Sequence, residues 1–369
     1  MPAAAYKSSV NESCRSSHMN ILYGVQATGN GHICRSREVI RHLKALNHDV
    51  HVIFSGRDPS QLSELKGFEP YQIMHGLTFQ TCRGRLNLFE TTLRLHLLRF
   101  YNEIRSADAS DFDLVITDFE PITARLARRH SIPSVGIGHQ YAFSYPIPLG
   151  GSYPLSRWVI RNFAPADQAV GLHWHHFGYP ILPPIVPDYL NAHAEVIPNK
   201  ILLYLPFEHP NDVEALLTDF RSHHFYIYGV GTIVRPMDRN HLHFRPYSRT
   251  GFLNDLAECS GVISNAGFEL TSEALQLGKK LLVKPLVGQM EQMSNALAVS
   301  RLKLGMVMPA LSPSHVGRWL NCPDAPSMGY PDVARLVAEW IDGGAWERID
   351  SLATTAWKQT ENIPLNPGA

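Results

Sequence analysis

The stretch Gly261-Val262-Ile263-Ser264-Asn265-Ala266-Gly267-Phe268-Glu269-Leu270-Thr271-Ser272-Glu273 decides how the chain reads. Its apolar start has the length and composition of a buried strand, Asn265-Ala266-Gly267 forms a tight turn, and a helix is expected from Phe268 to Gly278. A strand–turn–helix unit of this kind aims unpaired backbone amides and the positive end of the helix dipole at whatever lies above the turn. That is a place for a diphosphate, held without a metal ion. Glu273 lies two turns into the helix and is placed to accept hydrogen bonds from ribose hydroxyls. Beyond the next strand, Gly288-Gln289-Met290-Glu291-Gln292 and then Asn295-Ala296 put polar side chains where a sugar would lie.

Working outward, the same alternation recurs along the chain. Short runs rich in Ile, Val and Leu at 201–205, 225–228, 262–264 and 281–283 read as the strands of one α/β series. Runs at 20–25, 50–54, 113–117 and 134–137 read as those of another. A crossover helix is expected at 36–46, where Val39, Ile40, Leu43 and Leu46 share one face. The segment 177–198 holds Pro180, Pro183, Pro184, Pro187 and Pro198 without clear periodicity and suits a connection between the series. With 369 residues, the chain is divided as follows: a polar, disordered extension at 1–18, a first α/β domain at 19–176, the linker at 177–198, and a second α/β domain at 199–369 that includes C-terminal helices, one of them at 333–341.

The first series opens on its own glycine loop, Gly29-Asn30-Gly31-His32, between a strand and a helix. A dinucleotide fold would want a third glycine near Cys34 and an acid after the second strand, where the chain has Phe54-Ser55-Gly56. A Walker loop would want Gly-Lys-Ser/Thr, where it has Gly31-His32-Ile33. What remains is a histidine presented at a helix start, able to take a proton from a hydroxyl, or else a plain capping histidine. Asp118 ends the apolar run Leu114-Val115-Ile116-Thr117 and is placed to orient that ring, because ligand groups gather at the carboxyl ends of parallel strands. Glu120 competes for either role. Both acids have a purely structural alternative, capping a helix over 122–129.

Composition narrows the classes. Lys plus Arg equals Asp plus Glu at 33 each, so no bulk attraction to nucleic acid follows. Five scattered cysteines without a C-x-x-C pair argue against a disulfide framework or a zinc site and point to a reducing cytoplasm. No run approaches the roughly 18 apolar residues of a membrane span, so membrane contact is expected to be peripheral at most. His173, His175 and His176 flank Trp174 with no carboxylate nearby and are read as structural. The basic aromatic stretch 244–249 is left out of the catalytic set, and the amphipathic run 86–101 is read as a packed helix.

Taken together and in order, Gly-x-Gly-His at 29–32, Asp-Phe-Glu-Pro at 118–121, Asn-Ala-Gly-Phe-Glu at 265–269, Ser-Glu-Ala-Leu at 272–275 and Gly-Gln-x-Glu-Gln at 288–292 resemble the inverting GT-B glycosyltransferases. These include plant-type UDP-glycosyltransferases and the peptidoglycan N-acetylglucosaminyltransferase, and the likeness is closest to a family-1-like branch. It spans most of residues 20–320. The resemblance implies two Rossmann-like domains facing a cleft, with a nucleoside-diphosphate sugar, UDP-linked, as the donor substrate and no cofactor or metal. The acceptor is a hydroxyl compound, lipids and glycans among the candidates. It makes His32 the base and Asp118 its partner, with Glu120 beside them. Gly29, Gly31, Asn265, Ala266, Gly267, Glu273, Gln289, Glu291 and Gln292 fall at the donor. Two departures stand out: Asn265 replaces the plant-type histidine, and Glu269-Leu270 replaces the Asn-Ser phosphate contacts. A carboxylate at Glu269 would repel a phosphate, so it is expected to turn away or pair elsewhere. The same architecture also serves sugar-nucleotide 2-epimerases and non-catalytic sugar-nucleotide binders.

Overall fold

Apolar strands need cover on both faces, and the chain supplies it with two sheets wrapped by helices, parallel throughout except for the antiparallel edge strand β12 of the second. The computed structural model describes residues 18–364 apart from 59–61, 63–64, 78–80, 83–84, 87–92, 152–153, 189–193, 232, 247, 325 and 345. The extension expected at 1–18 therefore lies outside the described residues except for His18.

The first half runs β1 (Asn20–Gln26), α1 (Asn30–Ala45), β2 (Asp49–Ser55), β3 (Tyr71–Ile73), the small hairpin β4 (Thr81–Cys82) and β5 (Arg85–Leu86), then α2 (Leu93–Ser106) and β6 (Leu114–Asp118). It continues with α3 (Pro121–His130), β7 (Ser134–Gly138), α4 (His139–Ala142), α5 (Pro154–Phe163), β8 (Gln168–Leu172) and β9 (Ile181–Leu182). The second half runs β10 (Ile197–Tyr204), α6 (Pro210–Leu217), β11 (His224–Tyr228), β12 (Met237–Arg239), β13 (Leu242–Phe244), α7 (Arg249–Glu258), β14 (Cys259–Asn265) and α8 (Phe268–Gln276). Then come β15 (Lys280–Lys284), α9 (Met290–Arg301), β16 (Met306–Val307), α10 (Pro313–Leu320), α11 (Val333–Asp342) and α12 (Ile349–Lys358).

The sheets have the orders β3-β2-β1-β6-β7-β8-β9 and β12-β13-β11-β10-β14-β15-β16. In each the order reverses beside the first strand, between β1 and β6 and between β10 and β14. Such switch points open a crevice at the carboxyl ends of the strands. Period-two packing is visible in β1: Ile21, Tyr23 and Val25 join Val39, Ile40 and Leu43 of α1 in one core, while Leu22 joins Ile122 and Leu126 of α3 on the other face.

Three expectations are sharpened by the structure. The segment 177–198, read as a connection without clear periodicity, also carries strand residues. Ile181 and Leu182 are fully buried as β9, paired with Gly171 and Leu172 of β8, and β10 already begins at Ile197. A buried pair of residues between prolines has no periodicity to betray it. The C-terminal helices do not stay with the second half: α11 packs on α1, α12 packs on β9, and Trp357 Nε1 donates to the carbonyl of Ile181 at 2.6 Å. The helix expected at 86–101 begins at Leu93, with Leu86 in the hairpin.

The halves meet tightly. Trp174 Nε1 donates to Ser272 Oγ at 2.9 Å, and the amide of Gly150 donates to Ser294 Oγ at 3.1 Å. His139 lies flat on Phe268, centroids 3.9 Å apart, between the Leu172 carbonyl and Asn295 Oδ1. Burial drives its pKa down, against the pull of the Glu291 charge. His173, His175 and His176 belong to the same wall: Trp174 is fully buried, and His175 and His176 each accept a hydrogen bond from a backbone amide two residues on. Among the described residues no helix is long and apolar enough to cross a membrane.

Candidate active site

The glycine loop is shorter than the sequence implied. Gly29, extended at φ −130, is the N-cap, and α1 starts at Asn30, so His32 and Arg35 ride on its first two turns, three residues apart on one face. Val25 near the end of β1 lies in register with Asp118 at the end of β6. The switch point of the first sheet therefore brings His32 Nδ1 to 2.8 Å from Asp118 Oδ1.

Asp118 is wholly buried and saturated with donors. Arg35 grips both its oxygens, Nε to Oδ2 at 3.0 Å and Nη2 to Oδ1 at 2.5 Å, and Ser36 Oγ donates to Oδ2 at 2.9 Å. Burial alone would raise its pKa, but the charge of Arg35 and the hydrogen bonds from His32 and Arg35 outweigh it and hold the carboxylate below its usual range. An ionised Asp118 requires His32 Nδ1 to be the donor between them, which leaves the Nε2 lone pair to accept a proton. The His32 side chain is 15% exposed and Asp118 is not exposed at all. That is the arrangement a base needs: one edge reachable, the other fixed.

Glu120 has a different place. It is the N-cap of α3, accepting from the amides of Ile122 at 2.9 Å and Thr123 at 2.7 Å, with Thr123 Oγ1 at 2.7 Å and Ser55 Oγ at 2.5 Å also donating to it. Burial pushes its pKa up, against those hydrogen bonds. Its oxygens are spent on the fold, and Glu120 leaves the catalytic set.

In the second half, β14 ends at Asn265 and Gly267 is the N-cap of α8 with no side-chain cap. A Cβ at Gly267 would meet nothing within 4 Å. The amino end of α8 is thus open beside Gly267. Asn265 donates through Nδ2 to the Lys284 carbonyl at 3.0 Å, and its buried Oδ1 has no partner among the described residues. The Ala266 carbonyl is held by Asn295 Nδ2 at 3.0 Å. Gln289 caps α9 with its backbone, Gln292 Oε1 accepts from the Leu286 amide at 2.9 Å, and Glu291 Oε2 accepts from Gln140 Nε2 at 3.2 Å.

Glu273 is 8% exposed, and burial raises its pKa to about 7 against the opposing charge of Arg249. An acid whose folded pKa is raised contributes stability that is complete below its unfolded value, near 4.5, and lost as pH rises through about 7. Glu273→Gln should therefore be more stable than the parent at pH 8, by up to about 3 kcal/mol, and indistinguishable from it near pH 4. Denaturant unfolding at the two pH values checks this.

Four residues outside the expected set line the junction of the halves. Arg35 forms an ion pair with Glu269 across it, which answers where that carboxylate turns. Gly31 makes the approach possible, since a Cβ there would overlap Cγ of Glu269. Arg249, at the start of α7, reaches Cys34 Sγ at 3.0 Å. Gln140 hands Glu291 its hydrogen bond from the first half. A Cβ built on Gly138 would lie 3.3 Å from Gln140 Oε1 and 3.4 Å from both Arg35 Nη2 and Asp118 Oδ1, so Gln140 sits beside the dyad. The three-residue step from His32 to Arg35 was readable as a shared helix face; the cross-chain partners were not.

The model of glycosyl transferase family 1 matches residues 19–322. No curated protein matches the chain in sequence. Among solved structures, Arabidopsis thaliana UGT89C1 complexed with UDP-L-rhamnose is similar over 93% of this chain and 97% of its own, at 12% identity and a TM-score of 0.57. The Streptomyces glycosyltransferase SsfS6, complexed with thymidine diphosphate, is similar over 92% and 96%, at 14% identity and a TM-score of 0.53. The spinosyn rhamnosyltransferase SpnG, complexed with spinosyn aglycone, is similar over 92% and 97%, at 14% identity and a TM-score of 0.53. The shared fold is GT-B.

Proposed function

The chain belongs to glycosyl transferase family 1, and we propose that it moves a sugar from a UDP-linked donor to a hydroxyl acceptor with inversion and without a metal ion. One observation carries this reading: the His32–Asp118 pair and the uncapped amino end of α8 face one junction, joined through Arg35 and Glu269. His32 Nε2 takes the proton of the acceptor hydroxyl as its oxygen bonds to the anomeric carbon from the side opposite the diphosphate. The anomeric C–O bond to the diphosphate breaks, and UDP departs with that electron pair. A single displacement of this kind inverts the configuration.

Charge developing on the leaving diphosphate is met by the amides after Gly267 and by the dipole of α8, which are already oriented. Glu273 accepts from the ribose hydroxyls once ionised, and Gln289, Glu291 and Gln292 hold the sugar. Asp118 keeps His32 in the productive tautomer and stabilises the imidazolium that forms. Lipid and glycan alcohols are the acceptor classes to screen.

Incubation of the protein with UDP-sugars, alone and with acceptor alcohols, tests the reading. Transfer should need the acceptor and give a product of inverted anomeric configuration, read by proton NMR. A C2 epimer of the donor formed without acceptor would replace the transferase reading with an epimerase.

A further inference from the structure

Arg35 is 2% exposed and carries two carboxylates on one guanidinium. Its Nε and Nη2 hold Asp118 on the first half, and Nη1 holds Oε1 of Glu269 on the second. Nη2 also lies 3.1 Å from His32 Nδ1, so the guanidinium borders every member of the dyad. Glu269 stands in the first turn of α8, at 17% exposure, beside the amides proposed to receive the diphosphate. Carboxylates are favoured there by the helix dipole, but an uncompensated one would repel a second anion at the same end. Asn265, at the end of β14 before the same turn, buries an Oδ1 without a partner among the described residues. The residue at 31 is glycine, and any larger side chain would displace Glu269 from Arg35.

We infer that Arg35 and Glu269 form a charge-matching pair between the halves: Arg35 neutralises Glu269, so that the amino end of α8 accepts a diphosphate, and the same guanidinium fixes Asp118. Arg35 is thus a positioning residue for the dyad, anchored on the donor half. The inference rests on the donor-site reading given above. Its consequence is that the dyad is correctly set only when α8 is docked against α1.

Calorimetric titration with UDP and with uridine, on the full chain, separates the effects of charge from those of packing. Glu269→Gln should tighten UDP by roughly three- to tenfold, and Arg35→Met should weaken it by a similar factor by leaving Glu269 uncompensated. The double variant should return to within about threefold of the parent, because the two charges disappear together. Uridine, which lacks phosphate, should bind all four alike. Arg35→Lys keeps the charge but not the two-pronged grip on Asp118. It should retain UDP affinity and the donor KM within about threefold, while kcat falls roughly ten- to a hundredfold. If Arg35→Met fails to fold, Glu269→Gln and Arg35→Lys carry the test on their own.

A double variant as weak as Arg35→Met would make Arg35 a direct phosphate ligand and overturn the pairing. UDP affinity indifferent to Glu269→Gln would also overturn it, as would unaltered kcat in Arg35→Lys. Absence of binding of either UDP or TDP by the parent protein would instead remove the donor-site reading itself.

Discussion

His32→Ala and Asp118→Asn should each lower kcat by about 10²–10⁴-fold, the range typical of a lost general base, while UDP affinity stays within about threefold. The two variants fail for different reasons. His32→Ala removes the only group of the dyad with an exposed edge. Asp118→Asn keeps the volume, and its one oxygen can stay on Arg35 Nε and Ser36 Oγ, where Oδ2 sits, but the amide nitrogen then takes the place of Oδ1 and meets His32 Nδ1 as a donor. It cannot accept from Nδ1, so His32 turns or takes the other tautomer and Nε2 loses its free lone pair. Asn is the informative substitution here. Asp118→Ala would leave the buried Arg35 without its main partner and confuse catalysis with stability, since breaking a buried ion pair typically costs about 3–5 kcal/mol. Turnover with saturating donor and acceptor, beside calorimetric UDP titration, checks both. Loss of UDP binding in step with kcat would mean that the dyad serves the donor rather than the acceptor.

Glu120→Ala should show the converse pattern, a large loss of stability without a specific loss of chemistry. Removing its carboxylate leaves the amides of Ile122 and Thr123 and the hydroxyls of Ser55 and Thr123 without their acceptor inside the core. Unsatisfied buried donors and a lost N-cap together are worth about 3 kcal/mol or more. In a chain of this length that is roughly a 4 °C fall in Tm for each 3 kcal/mol. Below the midpoint, kcat per folded molecule should stay within about fivefold of the parent. A thousandfold loss of kcat with an unchanged melting curve would return Glu120 to the catalytic machinery.

How much of this was legible in the sequence follows from the range of the interactions. Strands such as 20–25 and 262–264 announce themselves because both faces are buried and the runs are dominated by apolar residues. Local units were equally open: a strand through Ser264, a turn at Asn265-Ala266-Gly267 and a helix from Phe268, the strand itself running one residue further to Asn265. The dyad was readable because β1 and β6 are neighbours at a switch point, where topology brings residues 86 apart in sequence to one edge. Contacts between halves were not. Nothing around Glu269 names Arg35, and nothing around Gln140 names Glu291; those pairs exist only once α8 and α9 are docked on the first half. β9 was hidden for another reason, since two residues among prolines carry no period. The return of α11 to α1 was hidden because an amphipathic helix shows which face it buries but not against what. Glu120 was ambiguous by chemistry: an acid one residue before Pro121 is both a good cap and a plausible catalyst.

Gly267→Val tests the central claim most directly, because the position is open: a Cβ there meets nothing within 4 Å, and φ is −73, which any residue adopts. The fold should tolerate the change, with Tm within a few degrees of the parent, yet the isopropyl group would stand where the diphosphate must approach the amides of α8. Calorimetry with UDP is predicted to show affinity lowered at least about thirtyfold in Gly267→Val, while uridine binds the variant and the parent alike. UDP binding to Gly267→Val as tightly as to the parent would contradict a donor site at the amino end of α8.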